Sequence, residues 1–181
     1  MRLNRLSEAT VLAVPLSEMR DFLKISHNEE DALLASLLRA GGEACENYIS
    51  RKLLSQQWQI TLNGWDEGAV NLPLSPILSL DMVEVWTNTQ FVEVMAGNYL
   101  LDRSSCPARM VPEMGVIWPD PTRTIDGIKI TLTVGFGVDH NKIPHDLRLG
   151  IMNWVAGRYD GAGETIQMAE KLWQPYKKMD L

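Results

Sequence analysis

Apolar positions in the first fifty residues recur every three or four places. Leu16, Met19 and Leu23 keep helical spacing behind Pro15, a residue suited to a helix entrance, and predict a helix over about 16–24. A longer run follows, in which Leu33, Leu34, Leu37, Leu38, Ala44, Cys45, Tyr48 and Ile49 fall on one stripe. Ser26 and Glu29 form an S-x-x-E capping pattern ahead of it, so the second helix is predicted from about residue 28 to about 51 with that stripe buried. Gly41 and Gly42 inside it lower helix propensity by roughly 1 kcal/mol each relative to Ala. Either the helix bends there or a neighbour approaches closely.

From Gln56 the period shortens to two, and Pro, Gly, Asn and Asp punctuate runs of β-branched and aromatic residues. Strands are predicted near 58–62, 69–72, 80–86, 91–94, 99–101, 116–118 and 128–134, within a β region of about 56–135. The last is the clearest, because Ile128, Ile130, Leu132 and Val134 alternate with Lys129, Thr131 and Thr133. Asn88 suits a hairpin turn. Pro144 then opens a third helix, about 144–160, with Asp146 in its first turn and Arg158 in its last, as the helix dipole favours. Leu147, Ile151, Trp154 and Val155 form its stripe, and Gly161 and Gly163 mark its exit. The pattern is that of an α+β chain: N-terminal helices after a loose leader, a mainly antiparallel β region, a C-terminal helix and an extended tail.

Composition narrows the function classes. With 181 residues and 45% hydrophobic content, the chain suits one compact core with extensions, read as a domain over 1–163 and a tail over 164–181. The net charge of -6 disfavours a protein that grips nucleic acid, since neutralising phosphates takes clustered Lys and Arg. Cys45 and Cys106 belong to no CxxC or Cys/His spacing and read as a buried thiol and a loop thiol. No secretory leader pattern and no apolar run of the ~20 residues a bilayer demands is visible, so a protein made and kept in a cytoplasm is expected.

Candidate chemistry is sparse. His140 and His145, with Asp139 and Asp146 nearby, allow a metal or acid-base site to be imagined, but their spacing fits no metal motif and a solvated loop explains them better. Glu29, Glu30 and Asp31 complement a helix dipole. Gly135-Phe136-Gly137 lacks the rest of a phosphate-binding loop and reads as a strand exit needing positive backbone angles. No catalytic residue, cofactor site or metal site is assigned. Leu172, Trp173, Pro175 and Tyr176, with Lys171, Lys177 and Lys178, make the tail amphipathic, and aromatics flanked by cations are common at protein interfaces. The alternative is a tail that folds back over its own sheet; in either case Trp173 is expected to be buried.

The ordered string of features resembles the head-tail connector, or adaptor, proteins of long-tailed bacteriophages and of phage-like particles such as gene transfer agents. The similar stretches are Leu16–Ile25, Glu29–Leu34, Glu46–Leu53 running into Gln57-Trp58, Leu72–Ile77, Pro107–Arg109, Trp118-Pro119, Val134–Gly137, Ile143–Arg148 and Arg158-Tyr159. The turn around Trp86 to Phe91 is longer than the pattern, and Asp160 after Tyr159 departs from it. The resemblance implies a ring of twelve subunits beneath the portal of a capsid, located in the virion neck, extending the DNA channel and offering a platform for a stopper or tail terminator. It also implies that the C-terminal segment, with Leu172, Trp173, Pro175, Tyr176, Lys177 and Lys178, docks on the portal. DNA would pass through without specific binding, and no membrane is involved. Six tryptophans and nine methionines supply apolar area for contacts between copies. Competing readings are another neck or tail-completion protein of the same particle, and a small α+β enzyme or binding domain using His140 and His145.

Overall fold

In a computed structural model that describes residues 1–66 and 68–178, the chain divides into two compact units. One comprises Met1–Glu8 with Gln56–Gly135, the other Ala9–Ser55 with Phe136–Lys178. The boundary expected after residue 163 is therefore not where the chain divides, because the residues beyond it pack with the helices.

The first unit is built from strands β1 (Arg2–Arg5), β2 (Gln56–Leu62), β3 (Val70–Leu72), β4 (Ile77–Thr87), β5 (Gln90–Glu93), β6 (Tyr99–Asp102), β7 (Ala108–Pro112) and β8 (Ile128–Val134). They form a five-stranded sheet ordered β1-β2-β8-β4-β5 and a three-stranded sheet ordered β3-β7-β6, with every strand pairing antiparallel. The alternating run in β8 lies at the centre, and Ile128, Ile130, Leu132 and Val134 are fully buried. Burying each such side chain contributes about 1.5–3 kcal/mol, which is why this strand is the most legible in sequence. Asn88 takes the left-handed conformation (φ 58°) at the β4–β5 turn, as its residue type allows.

Three sequence expectations fail in this unit. The leader is not loose: Arg2–Arg5 adds to the edge of β2, although all four side chains are exposed. The run 116–118 is not a strand. Trp118 instead stacks on Trp65 at 4.3 Å between ring centroids, leaving Ile117 91% exposed in a loop. The third is β7, which lies where no strand was expected; it pairs with both β3 and β6 and has one fully buried side chain, Met110.

The second unit holds helices α1 (Leu16–Leu23), α2 (Asp31–Ile49), α3 (His145–Asp160) and α4 (Gly163–Trp173). Met19, Leu38, Cys45, Ile49, Leu147 and Ile151 are among the side chains of its core. The second helix starts three residues later and ends two earlier than expected. Its capping box does not form: Glu30 is the N-cap residue and makes no side-chain cap bond, since its carboxylate accepts the Tyr159 hydroxyl instead. Leu33, expected in the buried stripe, is 51% exposed. At Gly41 a neighbour does approach closely, for a Cβ there would stand 3.2 Å from Trp154 and 3.3 Å from Ile151 and Val155. Gly161 ends α3 in the left-handed conformation.

The extended tail is the largest correction. Residues Gly163–Trp173 form α4, followed by a 3-10 turn over Gln174–Tyr176. The segment folds back, though onto helices and not onto a sheet. Ala169 and Trp173 are 0% and 2% exposed, and Lys178 N–H donates to the Ile49 carbonyl at 2.9 Å.

Candidate functional site

His140 opens a short 3-10 turn in which Asp139 accepts from the Asn141 N–H at 2.7 Å. Its Nε2 lies 3.9 Å from Glu18 Oε1, beyond hydrogen-bond reach. The other oxygen of Glu18 accepts from Arg148, whose side chain is 8% exposed, so this carboxylate serves a helix-to-helix ion pair. His145 is exposed at the start of α3. Asp146 accepts from the Tyr176 hydroxyl at 3.4 Å, and burial followed by the Asp146 charge raises the phenol above its ordinary value. These partners are structural, and the two histidines are not joined with the acids into one constellation. Among the described residues, no group of three or more His, Cys, Asp or Glu side chains could hold a metal ion.

The remaining sequence candidates also have structural explanations. Gly135 has φ 129°, a backbone that favours glycine, and closes β8. A Cβ on Gly137 would meet Lys142 at 2.4 Å, so this glycine permits a close approach. Asp31 pairs with Arg20 at 3.6 Å. Burial drives the Cys45 thiol far above its ordinary value, with Glu46 adding to the effect, which leaves it inert as a nucleophile. Cys106 is exposed.

Sequence reasoning missed a polar cluster on the five-stranded sheet. Asp81 lies where β4 carries a register irregularity, and it accepts from Ser79 Oγ at 2.5 Å, Thr133 Oγ1 at 2.7 Å and Gln57 Nε2 at 3.1 Å. Burial alone would raise this carboxyl, but the three bonds together outweigh it and hold the group below its ordinary value. The cluster ties three neighbouring strands together. A lone Asp between Leu80 and Met82 gave no sign of it.

The residues predicted to dock are divided by the fold. Trp173 is buried, with its Nε1–H donating to the Leu147 carbonyl at 3.2 Å and its ring 5.8 Å from that of Tyr48. Leu172, Tyr176 and Lys178 are half-buried, whereas Pro175 and Lys177 are exposed. The Lys177 ammonium sits 5.5 Å from the centre of the Tyr48 ring. In the strand unit, Met114 and Ile117 are 95% and 91% exposed in the β7–β8 loop. That loop is held by Trp65 Nε1–H donating to the Pro119 carbonyl at 2.8 Å and by Thr122 N–H donating to the Trp86 carbonyl at 2.8 Å.

The model of the Phage gp6-like head-tail connector protein family matches residues 14–110, more than half of the chain. The chain belongs to this family. The connector is also similar over its whole length to solved neck proteins. One, from the neck of an empty GTA particle computed with C6 symmetry, is 25% identical, with 100% of this chain and 97% of that chain covered and a TM-score of 0.85. Another, from the virion of a native gene transfer agent particle, is 26% identical with the same coverage and a TM-score of 0.82. No curated protein matches the connector in sequence. The fold is thus α+β as expected, and the family is the one the motifs pointed to. No helix among the described residues of the connector is long and apolar enough to cross a membrane.

Proposed function

We propose that this connector is a structural, non-catalytic subunit of the virion neck, made in the host cytoplasm, that forms a ring of twelve copies beneath a portal. The ring extends the DNA channel and carries the next component, a stopper or tail terminator. The observation that supports this reading most is the full-length likeness to a protein of a gene transfer agent neck, whose C6 symmetry divides twelve. The net charge of -6 suits a channel along which DNA slides, because cationic walls would retain phosphates.

In this reading the C-terminal segment docks on the portal through what the fold leaves outside: Pro175, Lys177 and the half-buried Leu172, Tyr176 and Lys178. Trp173 acts indirectly by seating the segment on the helices. Deleting the segment would empty the Trp173 site and confound the test, so point changes are preferable. The experiment is electron microscopy of the full chain mixed with its cognate portal, alongside a pull-down comparing the parent with a Lys171→Glu, Lys177→Glu variant. Twelve-fold rings on the portal, with capture by the variant reduced at least tenfold, are expected. Capture of parent and variant alike would remove the docking role, and the absence of any ring would remove the connector-ring reading.

A further inference from the structure

We infer that the outer edge of β5 is a docking site for an extended segment of another protein in which aliphatic and basic residues alternate. Three features of the strand unit carry this. The first is an unused backbone edge. Val94 N–H donates to the Val83 carbonyl at 2.8 Å, and the register pairs Val92 with Val85 and Glu93 with Glu84. Hydrogen-bonded pairs alternate along an antiparallel ladder, so Gln90 and Val92 face β4 while the N–H and C=O groups of Phe91 and Glu93 face outward. Trp86, opposite Phe91, agrees with this phase, since its own N–H donates to Gly127 on the side away from β5. Among the described residues, no strand lies beyond β5.

The second feature is a cavity of about 270 Å³ beside that edge, lined mainly by Val85, Thr87, Val92, Val94, Met95 and Pro119, with Glu93 and Asn98 completing its wall. It has room for an aliphatic side chain. The third is a pair of like charges on the opposite face. Glu84 and Glu93 stand directly across from each other, an arrangement that destabilises a sheet when the charges are alike. Lys129 is the cross-strand neighbour of Glu84, but its ammonium sits 3.9 Å from the centre of the Phe91 ring, and the Arg123 guanidinium, 4.7 Å from the same ring, donates to the Asp126 carbonyl. Among the described residues no cation pairs with Glu93.

A strand laid along β5 points successive side chains to opposite faces. One set enters the cavity and wants aliphatic groups; the other meets Glu93 and wants Lys or Arg. Main-chain bonds at Phe91 and Glu93 supply affinity, and the alternation supplies selectivity. A second copy of the connector is a poor occupant. Pairing copy to copy at β5 would carry the sheet twist of about 20–25° per strand along the stacking direction, which builds an open twisted ribbon and not a closed ring. A separate extended segment has no such constraint.

The test uses the full chain and an acetylated, amidated eight-residue peptide of alternating leucine and lysine, with a peptide of the same composition in blocks as control. Amide hydrogen exchange at Phe91 and Glu93 is expected to slow at least tenfold with the alternating peptide and not with the block peptide. Glu93→Lys should weaken binding at least tenfold. Glu93→Pro, which removes an outward N–H and leaves the β4 ladder intact, should abolish it, with an unchanged melting transition showing that the fold survives. Unchanged exchange at β5 at millimolar peptide, equal protection by both peptides, or full binding by Glu93→Pro would overturn the proposal. So would concentration-dependent self-association that Glu93→Pro abolishes, since that would make a second copy the occupant. None of these readouts depends on the portal or on ring formation.

Discussion

The indole of Trp173 occupies the place a side chain would take at Gly150. A Cβ on Gly150 would lie 2.2 Å from Trp173 Nε1 and 2.7 Å from its Cδ1. Glycine in mid-helix costs about 1 kcal/mol relative to Ala, so this position gives up helix propensity to admit the largest side chain of the helical core. Gly150→Ala is therefore expected to destabilise the helical unit, by about 1–3 kcal/mol through overpacking. Trp173→Ala should cost about 3–5 kcal/mol. Urea denaturation of both single variants and the double variant should show a double-variant loss smaller than the sum, because the two residues share one site.

This pair also shows what was legible in sequence and what was not. β8 was readable because its pattern is local: four apolar residues alternating with polar ones, all four buried. The helices over 16–24 and 144–160 were readable for the same reason. α4 was missed because its core contribution rests on Ala169 and Trp173, and its socket is an absent side chain on another helix, which no periodicity reveals. β1 was missed because Arg2-Leu3-Asn4-Arg5 is a strand solely by virtue of the open edge of β2. The run 116–118 misled because β-branched residues favour a strand only where a partner lies alongside. The family was legible from the order of its motifs, and the burial of Trp173 was expected, whereas the helix surface that receives its ring was not legible because it depends on tertiary packing.

Asp81 predicts a specific pH dependence. Its carboxyl is held below its ordinary value in the fold, net of a burial effect that acts the other way, by bonds from Ser79, Thr133 and Gln57. A group with a depressed native pKa contributes stability that is fully present above its unfolded value, about 3.9, and is lost as the pH falls through the native value. The parent should thus exceed Asp81→Asn in stability by a constant margin at pH 5–7. That margin should shrink below about pH 4. Thermal melts across this range check it, and a gap that widened in acid would contradict the assignment.

The Glu18–Arg148 pair joins α1 to α3 with one partner nearly buried and the other 39% exposed. Removing the carboxylate strands a buried guanidinium, which costs up to about 3–5 kcal/mol for a fully buried pair and less here because Glu18 retains solvent. Glu18→Ala is expected to lose about 2 kcal/mol. The double change Glu18→Leu, Arg148→Met should recover most of it by removing both charges. If the double variant were less stable than Glu18→Ala in denaturant titrations, desolvation would not be the governing term.

Gly41 and Gly42 offer the finest contrast, because adjacent residues of one type in one helix meet different surroundings. A Cβ at Gly42 meets nothing within 4 Å, whereas one at Gly41 meets three side chains of α3 at 3.2–3.3 Å. Gly42→Ala should gain about 0.5–1 kcal/mol, since it restores helix propensity and restricts the unfolded chain at no steric cost. At Gly41 the same gain is opposed by crowding against Trp154, Ile151 and Val155, so Ala should come out near neutral and Val should lose about 1–3 kcal/mol. Chemical denaturation of Gly41→Ala, Gly41→Val and Gly42→Ala side by side decides it. Equal stabilisation by Ala at both positions would mean that α2 and α3 can separate by a few tenths of an ångström at little cost, and the close approach would then be incidental to stability.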